Sequence, residues 1–271
     1  MLSLQCVFCN SDGPFTIEHI IPESLGNDDL LLKEQVCGKC NDYFSRKVEA
    51  VVLSKSPIAF WRVFLEIRTK KKLLPSVELS QPQQESGILP SVHRSHDDGI
   101  SFTAHEDGPI RLTVADQGMY EEIMRGERNT LQFVFTPKLL MAMGRFLCKI
   151  GIELVCLNDA VRARSSELEK ARKFARFGES KNLWPIFYFA KGSIDDLRRV
   201  RSDEKGLVED VDCYSYALLE VGVSYLLLRF SMGTDNWVVC LNDPYPTPEI
   251  NRAFPGEKLK LVWYSPEEIS K

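Results

Sequence analysis

The spacing of apolar residues along the chain predicts four helical segments. A first helix begins at about Asn41, and Ser56-Pro57 ends it and starts a second, which continues to about Thr69. Thr136-Pro137 opens the third, and a basic fourth helix is expected from about Asp159 to Phe177. The third pattern is the strongest, with one apolar face formed by Leu139, Leu140, Met143, Phe146, Leu147, Ile150 and Leu154.

Short apolar runs bounded by turn residues predict strands near both ends of the chain. These strands are Leu4–Phe8, Phe15–His19, Gly99–His105, Ile110–Ala115, Thr130–Phe135, Leu183–Ala190, Cys213–Val221, Val223–Ser231, Asn236–Leu241 and Leu259–Trp263. Residues 22–29 and 80–98 have the composition of loops. The sequence therefore predicts an α+β fold, with an N-terminal module at 1–75, a linker or loop at 76–98 and a larger α+β domain with a mostly antiparallel sheet at 99–271.

The composition is that of an ordinary soluble globular protein, with 44% hydrophobic and 27% charged residues. No run of 18 apolar residues is present, which predicts that the chain has no membrane span. The segment from Met1 to Cys6 lacks the basic and apolar regions of a signal peptide, so we expect a cytoplasmic protein. Thiols stay reduced in the cytosol, and the eight cysteines are therefore interpreted as metal ligands or buried thiols.

Charge is unevenly distributed along the chain, although the formal net charge is only -4. Residues 145–201 contain 13 Lys and Arg against 7 Asp and Glu, whereas residues 202–271 contain 6 against 12. Attraction to phosphates depends on local patches of charge, so a mildly acidic total does not exclude a polyanionic partner.

Two Cys-x-x-Cys pairs, Cys6 with Cys9 and Cys37 with Cys40, predict a metal site. Thiolates at positions i and i+3 of a tight turn can reach one metal, and two such turns supply the four sulfur ligands of tetrahedral Zn²⁺. The 27 residues between the pairs are many for a simple zinc ribbon, which suggests a functional insertion. The other four cysteines lie in apolar contexts and are interpreted as core residues.

The insertion contains Glu18-His19-Ile20-Ile21-Pro22, and Asn41 follows the last cysteine of the framework. Together with the cysteines, this pattern resembles the zinc-stabilised branch of the HNH endonucleases, the ββα-metal nucleases. The resemblance covers about residues 4–50, under a fifth of the chain. It implies that the N-terminal module is a zinc-stabilised ββα-metal module; residues 80–271 resemble no family that we recognise.

The resemblance also implies roles for individual residues. His19 would be the general base for a water molecule, and Glu18 and Asn41 would bind a catalytic Mg²⁺ or Mn²⁺. Two positions depart from the family pattern. Glu18 stands where Asp is usual, and the middle Asn of the motif, which normally tethers the loop, is missing from residues 32–36. Asn27 is the candidate substitute.

Each of these residues also has a structural interpretation that the sequence leaves open. His19 could be a packing residue, Glu18 a solvated strand residue and Asn41 a helix cap. Asn27 is more often a turn residue than a tether. Weaker candidates for DNA contacts are the basic residues Lys70, Lys71, Lys72, Arg172, Lys173 and Arg176, which could equally form solvated helix surfaces.

The leading functional hypothesis is a metal-dependent HNH endonuclease that hydrolyses double-stranded DNA, in a setting such as restriction or phage defence. Self-association into a homo-oligomer, most simply a dimer, is also expected. One alternative is a zinc-stabilised nucleic-acid-binding or regulatory module with a degenerate nuclease site. Another is a structural zinc scaffold for protein assembly.

Overall fold

The computed structural model describes residues 5–65, 67, 76–78, 91–94, 101–105, 108–113, 125, 137–178, 184–191, 214–222, 225–242, 250, 252–257 and 259–262. The fold combines helices with antiparallel sheets, which confirms the predicted α+β class. No helix within these residues is both long enough and apolar enough to cross a membrane.

A ββα unit forms the N-terminal module. Strands β1 (Phe15–His19) and β2 (Leu31–Cys37) pair antiparallel, and helix α1 (Gly38–Phe44) follows β2 without a loop. A short 3-10 helix, Glu23–Leu25, lies in the connection between the strands. This unit carries Glu18, His19, Cys37, Cys40 and Asn41, and the turn that contains Cys6 and Cys9 precedes it.

The predicted strand Leu4–Phe8 is wrong over its described residues, because a turn occupies this position. The Cys6 amide donates to the carbonyl of Ser11 at 2.8 Å, and the Asn10 amide donates to the Cys6 carbonyl at 2.9 Å. This tight turn brings both thiols of the first pair to one side of the chain. The true partner of β1 is β2, a strand that the sequence analysis did not predict.

Four helical segments follow β2. After α1 come a π-helical turn (Ser45–Glu49), α2 (Ala50–Lys55) and α3 (Pro57–Phe64). The predicted break at Ser56 is confirmed, since its hydroxyl accepts from the Ile58 amide at 3.1 Å and caps α3. Helix α3 ends earlier than the predicted Thr69.

The helical region beyond residue 136 is built on α4 (Pro137–Asn158), which confirms the strongest predicted helix. The expected helix from Asp159 to Phe177 is interrupted. It consists of α5 (Ala160–Ala163), a 3-10 helix (Ser166–Leu168) and α6 (Glu169–Phe177). Asp159 is the N-cap of α5. Its side chain accepts hydrogen bonds from the amides of Val161 and Arg162 at 3.0 and 2.9 Å, so a new helix starts here.

Two further antiparallel sheets are described. Four strands form the first in the order β3-β4-β6-β5, and five form the second in the order β11-β7-β10-β9-β8. Their bounds are β3 Ser76–Glu78, β4 Ser91–Arg94, β5 Ser101–His105, β6 Gly108–Thr113, β7 Ile186–Ala190, β8 Tyr214–Val221, β9 Tyr225–Met232, β10 Asp235–Cys240 and β11 Lys260–Val262.

The strands of the second sheet correspond to the five predicted near the C-terminus. Strand β4 lies within residues 80–98, so the prediction of loop structure is wrong at that position. The predicted strand Thr130–Phe135 lies outside the described residues.

One buried apolar cluster joins the N-terminal module to α4, α6 and the five-stranded sheet. Helix α4 lies at its centre, with Phe146 fully buried against Phe230 of β9 at a ring distance of 6.1 Å. The division of the chain into separate domains stays a prediction.

Candidate metal and catalytic site

The four predicted zinc ligands converge at one point. Cys6 and Cys9 come from the N-terminal turn, Cys37 ends β2 and Cys40 lies in the first turn of α1. One ligand atom from each lies within 4.8 Å of all the others, and the Sγ atoms of Cys9 and Cys37 are 3.5 Å apart. Sulfur ligands at about 2.3 Å from a tetrahedral zinc stand roughly 3.8 Å from one another. The geometry and the donor set therefore fit Zn²⁺.

Hydrogen bonds within the cluster favour the thiolate form of Cys6. The side-chain hydrogen bond from Cys40 lowers the pKa of Cys6 to about 4, against the opposing effect of burial. The same hydrogen bond, together with burial, raises the pKa of Cys40. Nε of Arg176 donates to Cys40 Sγ at 3.2 Å, and the Cys37 amide donates to Cys6 Sγ at 3.4 Å. In the described part of the chain, no other group of three or more Cys, His, Asp or Glu side chains converges in this way.

Glu18 and His19 point to opposite sides of β1, as adjacent strand residues do. The His19 side chain is partly exposed, on the same side as the exposed Ile17. The Glu18 side chain is buried, and one oxygen, Oε1, lies 2.7 Å from Nζ of Lys149. Burial raises the pKa of Glu18, while the Lys149 charge opposes this effect.

Asn41 contacts the strand that carries these two residues. Helix α1 begins at Gly38, so Asn41 lies inside the first turn and does not open the helix as the sequence suggested. Its Nδ2 donates to Thr16 Oγ1 at 3.1 Å and to the Ile17 carbonyl at 3.2 Å. The register between the strands shifts at this point, because Thr16 pairs with Val36 and Ile17 with Lys33, which leaves Glu34 and Gln35 of β2 as a bulge.

Asn27 links the two ends of the connection between β1 and β2. Its Nδ2 donates to the carbonyl of Ile21 at 2.6 Å and to that of Leu30 at 3.2 Å, and its Oδ1 accepts from the Leu30 amide at 2.9 Å. The side chain is almost fully buried. Asn27 therefore makes contacts that a loop tether requires, although it precedes the expected position of that residue.

Lys149 is a residue of this site that the sequence analysis did not identify. It lies on α4, far from the motif in the sequence, and its fully buried ammonium contacts Glu18, Glu49 and Glu153. A signal was present, because Lys149 and Glu153 lie four residues apart in a predicted helix whose other residues are mostly apolar. Charged residues are rarely buried in such positions unless they are paired.

Two of the basic residues that were predicted to contact DNA form bonds within this chain instead. The Arg172 guanidinium donates to the carbonyls of Ala163 and Ser165, and Arg176 lies over the Tyr43 ring at 4.0 Å while it donates to Cys40. Lys173 is half exposed and forms an ion pair with Glu169. Residues 70–72, the other basic candidates, lie outside the described residues.

Comparison with known families matches residues 6–55 to a family model described as HNH endonuclease. The matched segment covers the four cysteines, the ββα unit, the π-helical turn and α2. No curated protein and no solved structure gives a significant match to the chain. The N-terminal part of this protein is thus an HNH-type module with a ββα arrangement and a cysteine cluster suited to zinc.

Proposed function

We propose that this protein is a metal-dependent endonuclease that hydrolyses phosphodiester bonds of double-stranded DNA, with Zn²⁺ as its structural metal. The family match at residues 6–55 supports nuclease chemistry in general. The observation that carries the proposal is the position of His19, which projects from β1 on the side opposite to buried Glu18 while Asn41 holds the same strand.

His19 is the proposed general base. A neutral imidazole near pH 7 can take a proton from the attacking water, and the partial exposure of His19 gives a phosphodiester access to the ring. Asn41 holds β1 against α1 through two hydrogen bonds from its amide nitrogen. This arrangement positions His19 relative to the zinc framework.

The proposed catalytic divalent cation would take its protein ligands from the oxygens of Glu18 and Asn41. Glu18 Oε2 is buried and has no hydrogen-bond partner among the described residues, and the Asn41 amide nitrogen is bonded so that its oxygen remains as a ligand atom. Oxygen ligands favour Mg²⁺ or Mn²⁺. When bound, such a cation neutralises charge on the phosphate and stabilises the leaving oxygen.

One observation favours a second candidate function. Glu18 is already paired with Lys149, so its carboxylate is less available to a cation than in an open site. A zinc-stabilised nucleic-acid-binding module with an inactive nuclease site is consistent with this ion pair. That candidate predicts DNA binding without turnover, and binding that survives replacement of Glu18 and His19.

Replacement of His19 by alanine tests the proposal. General-base catalysis typically contributes about 10²–10⁴-fold, so H19A should nick plasmid DNA about 100-fold or more slowly in Mg²⁺ or Mn²⁺. D42A is the matched control, because it removes an exposed carboxylate from α1 and should nick like the wild type. Zinc content and unfolding temperature of H19A should equal those of the wild type.

The outcomes separate the candidates. A wild-type protein that never nicks DNA in either cation contradicts the nuclease function. The nucleic-acid-binding module is then the remaining candidate. An H19A variant that cuts as fast as the wild type shows that another residue is the base.

A further inference from the structure

The most unusual buried group in the described residues is the ammonium of Lys149. It is fully buried at the centre of α4, outside the segment matched by the family. Three carboxylates surround it, with Nζ at 2.7 Å from Glu18, 3.0 Å from Glu49 and 3.2 Å from Glu153. They belong to β1, to the π-helical turn and to α4 itself, so three separate elements meet at one charge.

The hydrogen bonds of this ammonium are directed at the end of β1. Besides its contact with Glu18 Oε1, Nζ donates to the carbonyls of His19 at 3.0 Å and Ile20 at 3.3 Å. The nearest oxygens of Glu49 and Glu153 are at ion-pair distance but have no hydrogen-bond partner among the described residues. One side chain therefore holds three consecutive residues, and the middle one is His19.

Stability alone does not account for this cluster. Well-packed apolar residues of similar volume usually stabilise a core at least as well as a buried ion pair. Burial disfavours the charged form of Lys149, but the charges of Glu153, Glu18 and Glu49 outweigh this effect and raise its pKa well above the ordinary value. Lys149 is thus an ammonium, and its hydrogen bonds fix a backbone geometry that apolar packing would leave less defined.

We propose that Lys149 is a positioning residue of the nuclease site, which holds the Glu18–Ile20 backbone so that the His19 imidazole faces the substrate. The inference rests on the proposed nuclease function. It extends the site beyond the matched segment, because the proper geometry of the motif then depends on a residue of α4. Misplacement of a reacting group by about 1 Å can lower a rate about 100-fold.

A pair of variants isolates the contact of the ammonium with β1. Removal of Lys149 alone leaves buried carboxylates without a partner and could prevent folding. The triple variant K149M/E49Q/E153Q therefore removes the ammonium together with two of these charges. The double variant E49Q/E153Q has the same amides but keeps the ammonium, and thus its bonds to Glu18, His19 and Ile20.

The measurement is steady-state plasmid nicking in Mg²⁺, with kcat and KM determined separately, well below the unfolding temperature of each variant. We expect the triple variant to lose about 100-fold in kcat relative to the double variant, with KM for DNA within about twofold. M143A, which removes another fully buried side chain of α4, is the control for general damage to the core. It should unfold at a lower temperature but keep the wild-type kcat.

Each result decides between the two proposals. Equal kcat in the folded, zinc-loaded triple and double variants overturns the positioning role and leaves the nuclease function intact. A loss of kcat in M143A as large as in the triple variant also overturns the positioning role. Any damage to the packing of α4 would then be enough to lower kcat. A wild-type protein without nuclease activity overturns both.

Discussion

Asn27 uses both ends of its side-chain amide to join the residues before and after a loop. The loop lies between His19 and β2, so its conformation determines how the chain leaves β1. Because the side chain is buried, alanine at this position leaves the carbonyl of Ile21 and the amide of Leu30 without their partner. The bond to Ile21 is buried and those to Leu30 are only partly buried, so the main loss is one unsatisfied buried group, which costs about 1–3 kcal/mol.

N27A should therefore lower the free energy of unfolding by about 1–3 kcal/mol. On the proposed function it should also slow DNA nicking, because the loop that Asn27 stabilises directly follows His19. The adjacent Asp28 is exposed, and D28A is the matched control, with an expected change below about 0.5 kcal/mol. Urea unfolding and plasmid nicking measure the two effects. Equal stability of N27A and D28A would show that Asn27 is only a turn residue.

Among the elements, the hairpin of β9 and β10 contacts Trp61 near the end of α3. Gly233 in its turn has φ +60, and a Cβ there would lie 2.2 Å from the indole ring of Trp61 in α3. The ring cannot easily move, because it is buried and its Nε1 donates to Asp235 Oδ2 at 2.8 Å. Tyr188 donates to the other oxygen of Asp235 at 2.9 Å, which fixes the acceptor as well.

Two glycine variants separate backbone strain from this close contact. Gly222 has a similar φ of +62, but no atom of the described residues lies within 4 Å of the added Cβ, so G222A should cost about 1–2 kcal/mol from strain alone. G233A adds overpacking against Trp61 and should cost about 2–5 kcal/mol in total. Thermal and urea unfolding measure the difference. A G233A variant as stable as G222A would mean that the indole moves freely.

The elements also show what the sequence could predict. Helix α4 was predictable because its apolar positions repeat at helical spacing over six turns. Strand β2 was not, because Leu31–Cys37 lacks strict alternation. Its register shifts against β1, and Glu34 has φ +57, so neither face of the strand shows a regular apolar pattern.

The candidate site also contains some residues that the sequence could predict and some that it could not. The cysteine framework was predictable because its spacing is local and specific for zinc. The role of Lys149 was not predictable. Its contact with His19 joins residues 130 positions apart, and a single sequence does not show that such distant residues lie close together. The ion pair of Glu18 depends on this contact and was missed with it.

At the scale of the whole molecule, the zinc framework and the helical region share one core. Cys6, Cys37 and Cys40 belong to the same buried cluster as the apolar side chains of α4 and of the five-stranded sheet. Loss of zinc should therefore destabilise more than the turn that binds it. Arg176 of α6 contacts Cys40, and the ion pairs of Lys149 link α4 to the N-terminal module, so both helices should be affected.

C37S should lose zinc and lower the unfolding temperature of the described core as one transition, by roughly 10 °C or more. C148S is the matched control, because Cys148 is also a fully buried free thiol but lies outside the metal cluster. It should retain zinc and lose only a few degrees. Calorimetry with zinc quantitation measures both. A separate early transition in C37S would contradict the shared core.

The long separation between Glu18 and Lys149 has a consequence for the order in which the protein is made. The ribosome synthesises the nuclease motif first and the ammonium that anchors it 130 residues later. Until α4 emerges, the nascent N-terminal segment carries Glu18 without its countercharge and the His19 backbone without its anchor. On the proposed mechanism, the nascent chain cuts DNA far more slowly than the finished protein, and full activity appears only when the central helix docks.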